Sequence, residues 1–227
     1  MAEQSAGADN SARQGSTRQA GRLARSYLEA LRAADAAGAY KIASQALAQG
    51  MPLAAIYEEV VTPAMYELGR LWERGAISVA DEHLATALTH RVLAALRSPA
   101  FVEPVFEEGS EGPRAMLATV QGEHHALGLR MAADLLEDAG YETIYLGADV
   151  PTEALLRAIE ALSPNLVGLS ATMPESRARL EALVTQIRDE HPRLPLLLGG
   201  QASASPRIGE GTAVEDLQSL EDWVRPS

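Results

Sequence analysis

A bundle of four helices followed by a parallel α/β sheet is the architecture this sequence predicts. Three observations predict it. Apolar residues recur at three- and four-residue spacings through the first part of the chain. A stretch rich in proline and acids then breaks the pattern. Beyond it, short continuous apolar runs alternate with helical segments.

The elements follow in order. Residues 1–21 (MAEQSAGADNSARQGSTRQAG) are small and polar and are expected to form a disordered tail, its arginines solvated. Residues 22–97 form the bundle. Leu23, Tyr27, Leu28 and Leu31 mark the apolar face of a first helix; Tyr40, Ile42, Ala43 and Leu47 mark a second. Pro52 suits the first turn of a third helix and Gly75 its end, with Leu53, Ile56, Val60, Ala64, Leu68 and Trp72 between them. A fourth opens at Ser78, where Ser-Val-Ala-Asp resembles a capping box, and runs to about Leu96. Residues 98–113 (SPAFVEPVFEEGSEGP) read as a linker.

From 114 to 227 the period changes. The runs at 115–120, 143–148, 165–170 and 195–200 read as strands, with a short fifth at 212–214. Helices are expected near 126–139, 152–162, 176–190 and 215–224. Continuous apolar strands alternating with helices imply a parallel sheet covered on both faces. Such sheets bind ligands beyond the carboxyl ends of their strands, so the loops that matter are VQGEHHA, LGADVP, LSATMPES and GGQASAS.

Composition narrows the function. A net charge of −12 argues against direct nucleic-acid binding and points to proteins or small ligands as partners. The absence of cysteine excludes disulfides, thiolate nucleophiles and zinc ribbons, and fits a reducing cytoplasm. With no apolar run of about 18 residues and no apolar signal core, the expectation is a soluble cytoplasmic protein without a membrane partner.

Several motifs fail. No Gly-x-Gly-x-x-Gly follows the first strand, and no phosphate-binding Gly-Lys-Ser/Thr occurs. Gly168-Leu169-Ser170-Ala171-Thr172 lacks the second glycine of a hydrolase nucleophile elbow. Glu82-His83 does not complete a zinc-protease pattern, although His83, Glu123, His124 and His125 converging on a metal remains an open alternative. No catalytic residue is assigned, and the chain is not expected to be an enzyme.

One set holds together. Glu123-x-His125-x-x-Gly128 is followed, 41 residues on, by Ser170-Ala171-Thr172, and after 26 more by Gly199-Gly200. In order and spacing this resembles the cobalamin-binding domain family, whose fold is a flavodoxin-like (Rossmann-like) sheet. The resemblance implies cobalamin held base-off, its cobalt ligated from below by His125. Imidazole suits a borderline transition metal. Glu123, where the family usually has aspartate, would bond the other ring nitrogen and fix the tautomer. Gly128, Ser170, Thr172, Gly199 and Gly200 would accommodate the nucleotide tail. His124 is read as a solvent-facing or upper-rim residue.

The stretch LWERGAISVADEHLATAL, with Trp72 and then Glu82-His83, resembles the helical cap of the CarH-type light-sensing cobalamin proteins. That resemblance implies adenosylcobalamin with Trp72 packed on the adenosyl group, Glu82 bonding its polar atoms and His83 filling the same pocket. It further implies light cleavage of the cobalt–carbon bond and a domain shift that signals through a homo-oligomer (dimer or tetramer), a protein partner or an output domain. Two departures stand out. No helix-turn-helix is expected before residue 22, and Glu73 replaces the histidine that takes the upper cobalt site after illumination. The alternatives are a corrinoid methyl carrier of a methyltransferase system, a relative that also holds a bilin (non-covalently, for want of cysteine), and a metal-binding or structural module with a degenerate motif.

Overall fold

The computed structural model describes residues 2–97, 112–203, 211–214 and 216–224, apart from the side chains within 2–16 and at 222. Residues 98–111 of the expected linker lie outside the described residues. The chain divides into two compact units, Met1–Glu103 and Pro104–Ser227.

The first unit is helical: α1 (Ala2–Arg32), α2 (Ala36–Ala48), α3 (Leu53–Ile56), a π-helical turn (Tyr57–Val61), α4 (Thr62–Glu73) and α5 (Val79–Arg97). Two features differ from expectation. First, α1 begins at Ala2, in the segment expected to be disordered. That stretch has no proline and no β-branched residue before Ser16-Thr17, and its alanines, glutamines and arginines favour helix. Once residues from Ala20 onward pack, each further residue adds only a propagation step rather than a new nucleus. Second, the helix expected from Pro52 to Gly75 is interrupted by the π turn. Pro63 lacks an N–H and its ring crowds the carbonyl of Glu59; the widened turn just before it relieves both.

The core of this unit contains Tyr27, Leu31, Ile56, Tyr57, Val60, Leu68 and Leu93, all nearly inaccessible. Each such side chain contributes on the order of 1.5–3 kcal/mol relative to an exposed one. The Tyr27 hydroxyl donates to Thr89 Oγ1 at 3.4 Å, and burial pushes its pKa up to about 12. The capping box at Ser78 forms as the sequence suggested: Ser78 N donates to Asp81 Oδ2 (2.8 Å) and Asp81 N to Ser78 Oγ (3.2 Å). Among the described residues no helix is long and apolar enough to cross a membrane.

The second unit is a five-stranded parallel sheet in the order β2-β1-β3-β4-β5, with β1 (Arg114–Val120), β2 (Glu142–Val150), β3 (Leu166–Ser170), β4 (Leu196–Gly199) and β5 (Thr212–Ala213). The helices are α6 (Leu127–Asp138), α7 (Thr152–Leu162), α8 (Arg177–Glu190) and α9 (Leu217–Val224). Met116, Ala118 and Val120 pack with Leu155 and Ile159 of α7 and Leu180, Val184 and Ile187 of α8. Period two turns the alternate residues of β1 to the opposite face, where α6 packs. The central strands β1 and β3 are therefore buried on both faces, and β2 is half exposed. The order reverses between β1 and β3, so their carboxyl ends flank the switch point where ligands enter such sheets.

Candidate functional site

The loop after β1 carries Glu123, His124 and His125. Glu123 is fully buried. Its Oε1 accepts from the backbone N–H of His125 (3.0 Å) and lies 2.6 Å from His125 Nδ1; its Oε2 accepts from the amides of Thr172 (2.8 Å) and Met173 (2.9 Å) in the loop after β3. Burial alone would raise this carboxyl's pKa. The bonds from Met173, His125 and Thr172 outweigh it and lower the pKa to about 2. A carboxylate so placed accepts a hydrogen bond from a protonated Nδ1, and in that tautomer Nε2 is the nitrogen available to a metal. The His125 side chain is 59 % exposed, so the ring is fixed at one edge and open elsewhere. His124 is exposed.

Register brings the other loop residues to the same edge of the sheet. Thr119 of β1 aligns with Ser170 of β3, and Ser170 with Gly199 of β4. Ser170 is buried and Thr172 half-buried. A Cβ built at Gly128, in the first turn of α6, or at Gly199 meets nothing within 4 Å, so both glycines border open space. Gly200 differs: its φ is +87°, and a Cβ there would lie 2.3 Å from the carbonyl oxygen of Ala171. The structure thus gives Gly200 a reason of its own, the close approach of two backbone loops.

In the helical unit Trp72, near the end of α4, is 48 % exposed and is therefore not core of its own unit. Glu82 and His83 lie in the first turns of α5. Glu82 Oε1 accepts from Thr86 Oγ1 at 2.8 Å, and its Oε2 lies 2.6 Å from His83 Nδ1. The His83 side chain is largely exposed. Among the described residues no three His, Cys, Asp or Glu side chains gather as a metal cage.

Sequence reasoning missed Thr119 and Asp149. The Asp149 amide donates to Thr119 Oγ1 (2.9 Å) and to the Glu123 carbonyl (2.9 Å), and its Oδ1 accepts from Gly122 N (2.6 Å). Asp149 sits in LGADVP, at the carboxyl end of β2 where the topology marks a ligand edge, but no residue type there signals this role. The Thr172 and Met173 amides were missed because backbone donors leave no trace in residue identity.

The donor set fits a corrinoid. It offers one imidazole whose Nδ1 lies against a buried carboxylate, hydroxyl-bearing residues at the sheet edge, and two glycines facing open space. Comparisons agree. The B12 binding domain family matches residues 113–213, and a second B12 binding domain family matches residues 23–97. The chain is 35 % identical over 202 residues to the HTH-type transcriptional repressor CarH of Myxococcus xanthus, covering 88 % of this chain and 65 % of that relative's length. It is 25 % identical over 158 residues to trimethylamine corrinoid protein 1 of Methanosarcina mazei, covering 66 % of this chain and 69 % of the relative. The monomethylamine corrinoid protein of Methanosarcina barkeri shares the fold, with a TM-score of 0.69 at 20 % identity over 89 % of this chain and 96 % of that one. The chain thus carries two B12 binding domains, one over residues 23–97 and one over residues 113–213.

Proposed function

We propose that the protein is an adenosylcobalamin-dependent light sensor in which His125 is the lower axial ligand of cobalt. The observation that carries the lower half of this reading is the Glu123–His125 pair: a buried, ionised carboxylate holds Nδ1 and leaves Nε2 for the metal. Gly128 and Gly199 leave room for the nucleotide tail, and Ser170 and Thr172 bring hydroxyls to the same edge.

The upper half rests on the helical unit. An indole half exposed at the end of α4 is a large flat surface without a core role. In this reading Trp72 packs on the adenosyl group, Glu82 accepts from its polar atoms and His83 fills the space beside it. The similarity to CarH supports this assignment. When bound, adenosylcobalamin supplies a weak cobalt–carbon bond that visible light breaks. The protein holds the ligand, keeps Trp72 over it, and changes its association state or a partner's when that contact is lost. A shift of this kind needs only a few kcal/mol of differential binding between two states. The output is regulatory, by way of a homo-oligomer, a protein partner or a further domain, in the cytoplasm and without catalysis by this chain. A bilin, if a second chromophore is used, is held non-covalently, because the chain has no cysteine.

A second reading is a corrinoid methyl carrier, favoured by the similarity to trimethylamine corrinoid protein 1. A carrier needs an open upper face, which a bulky Trp72 opposes. Reconstitution with adenosylcobalamin in the dark, then green light, separates the two. The sensor reading expects an absorbance change accompanied by a change in molecular size. Preferential retention of methylcobalamin, with no size response to light, favours the carrier.

A further inference from the structure

We infer that Asp149 is a positioning residue for the cobalt ligand: from the end of β2 it locks the loop that presents Glu123 and His125. This inference deepens the reading of His125 as the lower ligand and rests on it.

Asp149 is exposed, so packing does not explain it. Its backbone is left-handed (φ +54°), a conformation costly for most L-residues and tolerated best by Asp and Asn. The β1–β2 register is broken at this point: Ala118 pairs with Gly147 and Val120 with Val150, so two residues of β2 lie opposite Thr119 alone. A bulge of this kind re-aims the groups around it.

Here the amide and Oδ1 of Asp149 both meet the end of β1 and the loop that follows it. Its amide donates to Thr119 Oγ1 and to the Glu123 carbonyl, and its carboxylate accepts from Gly122 N. Thr119 Oγ1 in turn donates to the Glu123 carbonyl at 2.5 Å. Glu123 is thus held at its carbonyl by Thr119 and Asp149, and at Oε2 by Thr172 and Met173. Oε1 then faces His125 and lies 2.6 Å from its Nδ1. Loss of the Asp149 acceptor releases Gly122, itself at φ +81°, and with it the loop.

The test uses cobalamin-free protein labelled with nitrogen-15 histidine, observed by NMR at mildly alkaline pH, with His125→Ala to assign the signal. The wild type is expected to hold the proton on Nδ1. Asp149→Asn, which keeps both the acceptor and the tolerance of left-handed backbone, retains that tautomer. Asp149→Ala gives a mixture of tautomers. So does Asp149→Gly, which relieves the backbone strain but lacks the acceptor, and which carries the test if the alanine variant fails to fold. Thr119→Val gives the same mixture. Adenosylcobalamin affinity falls on the order of tenfold in the glycine variant and stays within about twofold in the asparagine variant, in line with outer-shell partners of metal-bound histidines. An unchanged tautomer and affinity in Asp149→Gly overturns the inference. A His125 signal in the wild type that does not respond to added adenosylcobalamin overturns the ligand reading instead, and leaves the lock standing.

Discussion

Glu123 Oε1 lies 2.6 Å from His125 Nδ1 while Oε2 of the same carboxylate accepts two backbone N–H groups from the loop after β3. One buried side chain thus joins the two strand ends at the switch point of the sheet and orients the imidazole between them. His125→Ala removes the ring but not the network behind it. Adenosylcobalamin retention is expected to fall at least tenfold, with an absorbance spectrum altered from that of the wild-type complex, while the cobalamin-free protein melts within about 2 °C of wild type. Equilibrium dialysis and absorbance check this; wild-type retention and spectrum would remove His125 from the cobalt.

The same carboxylate makes a pH prediction. Its pKa is lowered from 4.5 to about 2 in the folded protein. A depressed carboxyl stabilises the fold above its unfolded pKa, and that contribution is lost as pH falls from about 4.5 toward about 2. The full contribution is on the order of 3 kcal/mol. Urea unfolding of cobalamin-free protein is therefore expected to lose less stability between about pH 7 and about pH 3 in Glu123→Gln than in wild type. The glutamine variant should also be less stable at neutral pH, because its NH2 confronts a donor where the carboxylate accepted one. Parallel pH profiles would contradict the assignment.

The glycines divide into two kinds. At Gly200 an alanine Cβ meets the Ala171 backbone at 2.3 Å in a left-handed conformation, so Gly200→Ala is expected to cost several kcal/mol of stability with or without ligand. Gly128→Ala and Gly199→Ala meet nothing in the protein. They should leave the melting temperature of the cobalamin-free protein nearly unchanged and weaken cobalamin binding. Thermal melts paired with binding titrations distinguish these outcomes; loss of stability at Gly199 without loss of binding would reverse its role.

Trp72 provides the test of the upper face. Because the indole is half exposed, Trp72→Ala should change stability by no more than about 1 kcal/mol, well below the 3–5 expected for a core tryptophan. Its effect should appear instead as reduced preference for adenosylcobalamin over methylcobalamin in competition binding. A large drop in melting temperature with preference intact would return Trp72 to the bundle core.

The sheet unit was legible because both of its signals are local. Short apolar runs bounded by Gly, Pro and Asn placed β1 to β4 within about two residues, and α7 at Thr152–Leu162 as expected. Glu123, His125 and Gly128 stood out in the sequence through the family motif they resemble, and the structure pairs the first two and sets Gly128 beside open space. The π turn before Pro63 was not, because spacings of four residues fit an α-helix as readily as a widened one. The segment from Ala2 was misread because polarity argues against a packed core but not against a helix that extends one already nucleated. Asp149 and Thr119 escaped because a bulge depends on the register between two strands, which neither strand encodes alone.

The most direct measurement of the central claim is electron paramagnetic resonance of the protein loaded with cob(II)alamin, prepared once with ordinary and once with nitrogen-15 histidine. Ligation by His125 predicts that each cobalt line, split in three by the ordinary ring nitrogen, becomes split in two in the labelled protein, and that His125→Ala abolishes the change. Splitting indifferent to the label would mean that the lower ligand is the cofactor's own base, and would contradict the account.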